Sequence, residues 1–368
     1  MIKYGATYNH SPPRLWRRTI EYMIAGRARS VALGPLWVLS QCYLAGVRCR
    51  HWLYDRKILP RQFAPLPVVS IGNLVVGGAG KTQVALLLAR QLADSIPVAI
   101  VSRGYRSLAE HAHEPLVVDI PTQSVHSVGD EPWLLASRLA DYAACVVVGK
   151  RRFKGALTAK KWGARLVILD DGMQHRALHR DFEIVVIDGK TALDSFLPKG
   201  RLREDPARLK SADLILFIGH PESSLVKDIS KHTQAPQAIA RIISEGVFDL
   251  QDADLGSIKG IKVAVFCGIG NPFRFVKTVQ ELGAHVVLTL FSQDHQIPSE
   301  HELMGFAQAA QKKGASFLIC TEKDKVKLFY KELPLPVVWI KANLQLIQNV
   351  EIWVKMVNEM KLIAGMTP

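Results

Sequence analysis

An α/β fold built on a mainly parallel sheet is what this 368-residue sequence predicts, and three observations predict it. Short runs rich in β-branched residues alternate with helix-forming stretches from Leu66 onward. A glycine-rich loop ending in Lys-Thr separates the first such run from the first such helix. Apolar residues make up 48% of the chain and charged ones 22%, which suits folded domains and excludes a disordered or collagen-like chain.

At roughly 100 to 200 residues per domain, the chain has room for two or three domains. Lys and Arg total 47 against 33 Asp and Glu, a formal charge of +14. Residues 1–65 hold eleven of the basic residues and two of the acidic ones. Either nucleic acid or an anionic membrane suits such a segment. Three of the seven Trp (Trp16, Trp37, Trp52) and five of the eight Tyr share it, and amphipathic rings prefer the headgroup layer, so a membrane is favoured over nucleic acid. Ser30 to Val47 is free of charge for 18 residues, marginal against the ~20 needed to span a bilayer. Arg27 and Arg29 precede it and Arg48 and Arg50 follow, so charge sets no orientation. Trp16, Ile20, Met23 and Ile24 fall at helical spacing. The expectation for residues 1–62 is a helical, membrane-associated segment lying at the interface; the alternative is an ordinary helix packed on the protein body. The five cysteines are odd in number and lack a C-x-x-C pair, so they are expected as apolar filler in a reducing compartment.

Strands are expected at Val68–Ile71, Val98–Val101, Cys145–Val148, Leu166–Leu169, Ile184–Ile187 and Leu214–Ile218, each apolar enough to be buried on both faces. They define a first domain over residues 63–220. A polar stretch over 221–260 reads as a linker. The pattern resumes at Lys262–Phe266, His285–Leu290, Ser316–Ile319 and Val337–Ile340, a second, smaller α/β domain over 261–368 closed by a helix from Leu344 to about Ile363.

The glycine loop is Gly77-Gly78-Ala79-Gly80-Lys81-Thr82, ahead of the helix-forming residues 84–90. Between strand and helix such a loop surrounds phosphate oxygens with backbone N–H groups, while Lys neutralises charge and Thr reaches Mg²⁺. This predicts a P-loop NTPase-type domain, although Val75 stands where the pattern's first Gly belongs. The strand Leu166–Leu169 runs into Asp170-Asp171-Gly172, which suits a carboxylate beside the metal held by the loop Thr: Asp170 as the Mg²⁺ carboxylate and Asp171 as its partner. An Asp-Gly turn capping a strand is the plain alternative. Guanine-selective NTPases carry [NT]-K-x-D, and Thr321-Glu322-Lys323-Asp324 has the wrong order, so ATP is favoured over GTP. His175 and His179 lie four apart without a third ligand nearby, which argues against zinc. Asp130-Glu131 before Pro132 is open to a helix start, and Asp294-His295 to a loop pair.

Together the segments Ile71–Thr82, Ser102–Tyr105, Val128–Pro132, Asp170–His175, Leu197–Glu204, Asp294-His295 and Thr321–Asp324 closely resemble the tetraacyldisaccharide 4′-kinase family of lipid A biosynthesis. Ala79, Gln83, Arg201 and Gln296 depart from that family's usual residues. The resemblance implies transfer of the ATP γ-phosphate to the 4′-hydroxyl of tetraacyldisaccharide 1-phosphate, with Mg²⁺, at the cytoplasmic face of the bacterial inner membrane. It implies Asp130 and His295 as the pair that handles the acceptor's proton, one from each domain, with the second domain closing over the site. It implies Glu131 and Asp171 as aids to Mg²⁺ and phosphate positioning, Gln174 beside them, and Arg152 and Arg203 as cations for the phosphoryl group or the substrate's 1-phosphate. The lipid substrate and the membrane surface are the expected partners, with no nucleic acid and no obligate protein partner. A membrane-associated P-loop switch that docks a partner protein is the rival; it leaves Asp130 and His295 unexplained.

Overall fold

The computed structural model describes residues 34–191, 193–293, 296–328 and 332–366. The segment around Trp16–Ile24 and the pair Asp294-His295 lie outside them. The described chain divides into a larger unit, residues 34–241 and 344–366, and a smaller one, 242–343.

The larger unit begins with helix α1 (Gly34–Asp55) and continues through β1 (Val68–Gly72), α2 (Lys81–Ala93), β2 (Val98–Ser102), β3 (Leu116–Val117), α3 (Asp130–Arg138), β4 (Ala144–Val148), α4 (Arg152–Trp162), β5 (Leu166–Asp170), β6 (Phe182–Asp188), β7 (Leu214–Ile218) and α5 (Ser223–Ser230) into β8 (Gln237–Asp249). Its strands lie in the order β3-β4-β2-β5-β1-β6-β7-β8. All neighbours among them are parallel except β3 with β4. The apolar runs became these strands because helices cover both faces of a parallel sheet, leaving no solvent side; β1, β2, β5 and β7 are buried at every residue.

Helix α1 extends the uncharged run to Asp55, since Arg48 and Arg50 find acidic partners: Arg48 meets Asp205 and Arg50 meets Glu204, both at 2.7 Å. Ser40, Val47 and His51 are buried on one face. Ser40 Oγ donates to the Phe196 carbonyl at 2.9 Å, and His51 Nε2 bonds the buried Glu204 at 2.7 Å. Arg176 donates to His51 Nδ1, so the imidazole proton sits on Nε2. Val47 is buried and Leu36 and Leu44 are half-buried on the packed side, while Trp37, Val38, Leu39 and Trp52 are exposed. The helix thus carries apolar side chains on its exposed surface as well as on its packed one. Among the described residues no helix is long and apolar enough to cross a membrane.

The smaller unit holds β9 (Lys262–Cys267), α6 (Pro272–Glu281), β10 (His285–Phe291), α7 (Glu300–Lys312), β11 (Phe317–Thr321) and β12 (Val337–Gln348). Its strands are parallel in the order β10-β9-β11-β12. Helix α8 (Val350–Met366) then returns to the larger unit, where the fully buried Trp353 donates to Gln91 at 2.6 Å.

Three expectations are corrected. Residues 221–260 contain α5 and β8; β8 escaped notice because it is only partly buried and its sequence is correspondingly polar. The last helix starts at Val350, not Leu344, because β12 continues to Gln348 and Asn349 turns the chain at φ 55°. Cys145, Cys267 and Cys320 are buried filler, but Cys42 and Cys49 are exposed on α1.

Candidate active site

Strand β5 lies beside β1 in a register that sets Asp170 level with Ile71. The loop leaving β1 and the carboxylates ending β5 therefore meet at the carboxyl ends of the central strands, where chain order reverses and open α/β sheets bind ligands. Val75, which replaces the expected first glycine, is buried and bridges Leu202. The start of the loop is thus strapped to a neighbouring segment, with Val76 N–H bonded to the Arg201 carbonyl at 2.9 Å. Its turn comes at Gly77 (φ 109°) and at Gly80 (φ 87°), the N-cap of α2, conformations that suit glycine. Lys81 and Thr82 occupy the first helical positions, whose N–H groups have no acceptor within the helix.

Asp171 sits at φ 58°, a left-handed conformation that Asp tolerates and that marks functional turns. Arg203 grips its carboxylate with two guanidinium nitrogens, one bond measuring 3.0 Å, and also bonds Asn73 Oδ1. Lys81 Nζ lies 3.4 Å from the same carboxylate and donates to the same Asn73 oxygen at 3.0 Å. Burial opposes the Asp171 charge, but Lys81 and the Arg203 fork overcome it and hold the pKa at about 2. Burial lowers the Lys81 pKa, with Asp171 acting against that.

Asp170 is different. Its partner is Ser102 Oγ, at 3.5 Å, and burial, then the charges of Glu131 and Asp171, push its pKa well above the usual carboxylate range. Arg152, buried at the start of α4, donates to the Gly149 carbonyl at 2.8 Å and touches the Asp170 carbonyl at 3.5 Å. Glu131 and Asp130 open α3, and Glu131 contributes to the field at both Asp170 and Lys81. Gln174 donates to the Asn73 carbonyl at 3.2 Å. The larger unit therefore brings Lys81, Thr82, Glu131, Arg152, Asp170, Asp171, Gln174 and Arg203 to the end of the β1–β5 pair. Asp130 lies at the head of the same helix as Glu131, while His295 lies outside the described residues.

Two residues were missed. Asn73 joins Lys81, Arg203 and Gln174, and its place directly after β1 was the available signal. Ser102, ending β2, opened the family-like segment Ser102–Tyr105 but was given no role of its own.

Among the described residues no three His, Cys, Asp or Glu form a self-sufficient metal site. Mg²⁺ bound with a nucleotide does not need one, since one or two carboxylates join phosphate oxygens and waters. A buried carboxylate whose charge is opposed by burial, Glu131 and Asp171 and only partly favoured by Lys81 and Arg152 suits a cation, so the donor set fits Mg²⁺. Thr321–Asp324 serves the smaller unit instead: Asp324, fully buried, accepts from Gly268 N–H at 3.0 Å and from Thr321 Oγ1 at 2.5 Å.

Known proteins resemble this chain over most of its length. A family model described as LpxK: Tetraacyldisaccharide-1-P 4'-kinase matches residues 33–360. The tetraacyldisaccharide 4'-kinase of Anaeromyxobacter dehalogenans (strain 2CP-C) is 36% identical over 325 residues, 82% of this chain and 83% of its own. That of Chlamydia trachomatis serovar D is 33% identical over 359 residues, 95% of each chain. The crystal structure of LpxK from Aquifex aeolicus in complex with ATP superimposes with a TM-score of 0.69 at 29% identity, covering 89% of this chain and 98% of that one. On the family match over most of its length, this chain belongs to the tetraacyldisaccharide-1-P 4'-kinase family.

Proposed function

We propose that the chain is a lipid kinase that transfers the γ-phosphate of ATP to the 4′-hydroxyl of tetraacyldisaccharide 1-phosphate. The observation that carries this reading is the convergence of Lys81 and Arg203 on Asp171 and Asn73, at the N-terminus of α2. Phosphoryl transfer asks mainly for positioning and for cations around the transferring group. The loop N–H groups and Lys81 hold the phosphates, and Arg203 and Arg152 supply further positive charge. Asp171, committed to two cations, keeps Lys81 and Arg203 aimed. Asp170, with Thr82, would hold Mg²⁺, and Glu131 would help to position it. When bound, the ion neutralises charge on the phosphate oxygens. The hydroxyl oxygen bonds to the γ-phosphorus, the bond to the β,γ-bridging oxygen breaks, ADP leaves, and the hydroxyl proton passes to the Asp130 and His295 pair.

We place the protein at the cytoplasmic face of the bacterial inner membrane. The exposed apolar side chains of α1 support this, since Trp37, Val38, Leu39 and Trp52 are open to solvent on a helix that also packs Val47 inward. A substrate with four acyl chains stays in the bilayer, and drawing each chain into water would cost about 0.8 kcal/mol per CH₂.

The test is transfer of labelled γ-phosphate from ATP and Mg²⁺ to detergent-dispersed tetraacyldisaccharide 1-phosphate. Wild type should label the lipid, with Lys81→Ala, Asp130→Ala and His295→Ala slowed by about 10²-fold or more. Lipid-independent ATP hydrolysis with no labelled lipid would sink the kinase reading and favour the nucleotide switch.

A further inference from the structure

A second gathering of guanidinium groups lies away from the glycine loop. In the larger unit a cavity of about 150 Å³ is lined by Arg61, Arg176, Arg180, Arg208, His179 and Glu183, together with Asp213. No lining residue belongs to the loop, to α2 or to the Asp170-Asp171 pair. Arg176 and Arg180 come from the segment between β5 and β6, Arg208 from a 3₁₀ turn (Pro206–Ser211), and Arg61 from the chain between α1 and β1.

The lining itself holds four arginines against two carboxylates, Glu183 and Asp213, while Asp55 and Asp181 pair with it from outside. Glu183 serves two arginines, Arg208 at 3.2 Å and Arg180 at 3.7 Å. Asp55 serves the other two, Arg176 at 2.6 Å and Arg61 at 3.4 Å. Asp213 accepts the Glu183 backbone N–H at 2.7 Å, and burial raises its pKa. The Arg176 side chain is only 3% exposed, and the Nε atoms of Arg176 and Arg208 are buried without a partner. Glu183 Oε1 is likewise unpartnered. Orphaned buried donors are costly, and guanidinium groups crowded together are costlier. One ligand type resolves both: a phosphate, whose oxygens accept from the arginines while an adjacent hydroxyl donates to Glu183. The volume suffices for a phosphate with waters, each water needing on the order of 10–15 Å³.

The rim indicates which phosphate. Phe63, 69% exposed, stacks on the His179 ring at a centroid distance of 4.7 Å. Ile58, in the same inter-element chain, and Trp52, near the end of α1, are also exposed. An exposed ring beside an anion cavity, on a chain segment that also exposes Ile58, is what a protein presents to the headgroup layer, with rings among the acyl ends and cations at the phosphates. We propose that this cavity binds the phosphate of an anionic, hydroxyl-bearing phospholipid such as phosphatidylglycerol, as a lipid-docking site separate from the nucleotide site. The proposal deepens the membrane reading of α1 and rests on it.

The full chain is sedimented with phosphatidylcholine vesicles with and without phosphatidylglycerol, at fixed ionic strength. Arg61→Gln and Arg208→Gln are compared with Arg56→Gln, an exposed charge outside the cavity. Each cavity variant should weaken the phosphatidylglycerol-dependent affinity by about thirtyfold, as for a lost charge-assisted hydrogen bond. Arg56→Gln should weaken it by about fivefold, the share of one surface charge. Losses no greater than that of Arg56→Gln would overturn the site. Arg61, at the rim, serves if Arg208→Gln fails to fold, with ATP binding as the check on folding.

A second arm separates lipid from soluble phosphate. In a Lys81→Ala background, which disables the nucleotide loop, inorganic phosphate should raise Tm less than phosphatidylglycerol vesicles do. Stabilisation by inorganic phosphate with no vesicle preference would assign the cavity to a soluble phosphate and overturn the lipid commitment. Vesicle sedimentation of a Trp37→Ser, Leu39→Ser double variant, which leaves the cavity intact, keeps failure of the α1 membrane reading distinct from failure of this one.

Discussion

Lys81 and Arg203 share both of their principal partners, the Asp171 carboxylate and the Asn73 side-chain oxygen. Two cations that would repel are held side by side by one carboxylate, whose charge they in turn secure. Replacing that carboxylate by a neutral amide leaves the cations facing each other. Asp171→Asn should therefore destabilise the protein by about 1–3 kcal/mol in urea denaturation. It should also cut lipid phosphorylation by about 10²-fold, because Lys81 loses its aim. Unchanged stability would mean that the pair needs no shared anion.

The glycine loop offers a paired comparison. A Cβ on Gly80 would meet only Ile218 Cγ1 at 3.4 Å, so any cost of Gly80→Ala comes from its φ of 87°. That cost is about 1–2 kcal/mol, and ATP affinity should fall with it. Gly78 lacks a positive φ and has nothing within 4 Å of a built Cβ. Gly78→Ala should leave stability within about 0.5 kcal/mol of wild type. Calorimetry of both variants decides whether backbone conformation or free space governs the loop.

Burial, with Arg152, Arg180 and Arg103 nearby, pulls the His175 pKa from 6.5 to about 4. Between those values the unfolded chain binds a proton that the folded one does not. Stability is therefore complete above pH 6.5 and declines as pH falls toward 4, by at most about 3 kcal/mol from this residue. His175→Gln should flatten that part of the profile. Parallel wild-type and variant curves between pH 7.5 and pH 4.5 would remove His175 as the cause.

Glu204 is fully buried and receives both His51 and Arg50 from α1. Glu204→Ala strands those donors, at a cost of about 3–5 kcal/mol. Limited proteolysis should then cut within α1 before any other helix, and a cleavage pattern like that of wild type would count against this anchor.

On the outer face of the same helix, Trp37 and Leu39 are more than half exposed. Replacing both by Ser should shift stability by no more than about 0.5 kcal/mol while clearly weakening vesicle sedimentation. Undiminished sedimentation would remove these side chains from the membrane contact.

Much of the fold was legible because parallel strands covered on both faces must be apolar runs. Leu214–Ile218 emerged with the expected limits, and the other runs shifted by two residues or fewer at their starts. Strand β8 was hidden because half-buried residues need no apolar run, and the start of α8 was hidden because β12 extends past Ile340 with only partial burial. In the site, the glycine loop and the Asp-Asp pair were legible since each is a local segment with its own chemistry. Asn73 and Ser102 were not, because their importance lies in partners that only the sheet brings near.

By itself, the sequence determined the α/β class, the glycine loop between strand and helix, the paired carboxylates and the basic, aromatic N-terminal segment. All of these rest on local periodicity and residue chemistry. The sequence already pointed to Asp170 for the metal, but only the tertiary structure decided that Asp171 is the carboxylate neutralised by two cations. The β1–β5 register and the return of Arg203 to Asp171 separate them. The exposed apolar side chains of α1 and the arginine-lined cavity were decided in the same way. Burial and charge pairing depend on which distant segments meet, and no short window of sequence contains that information.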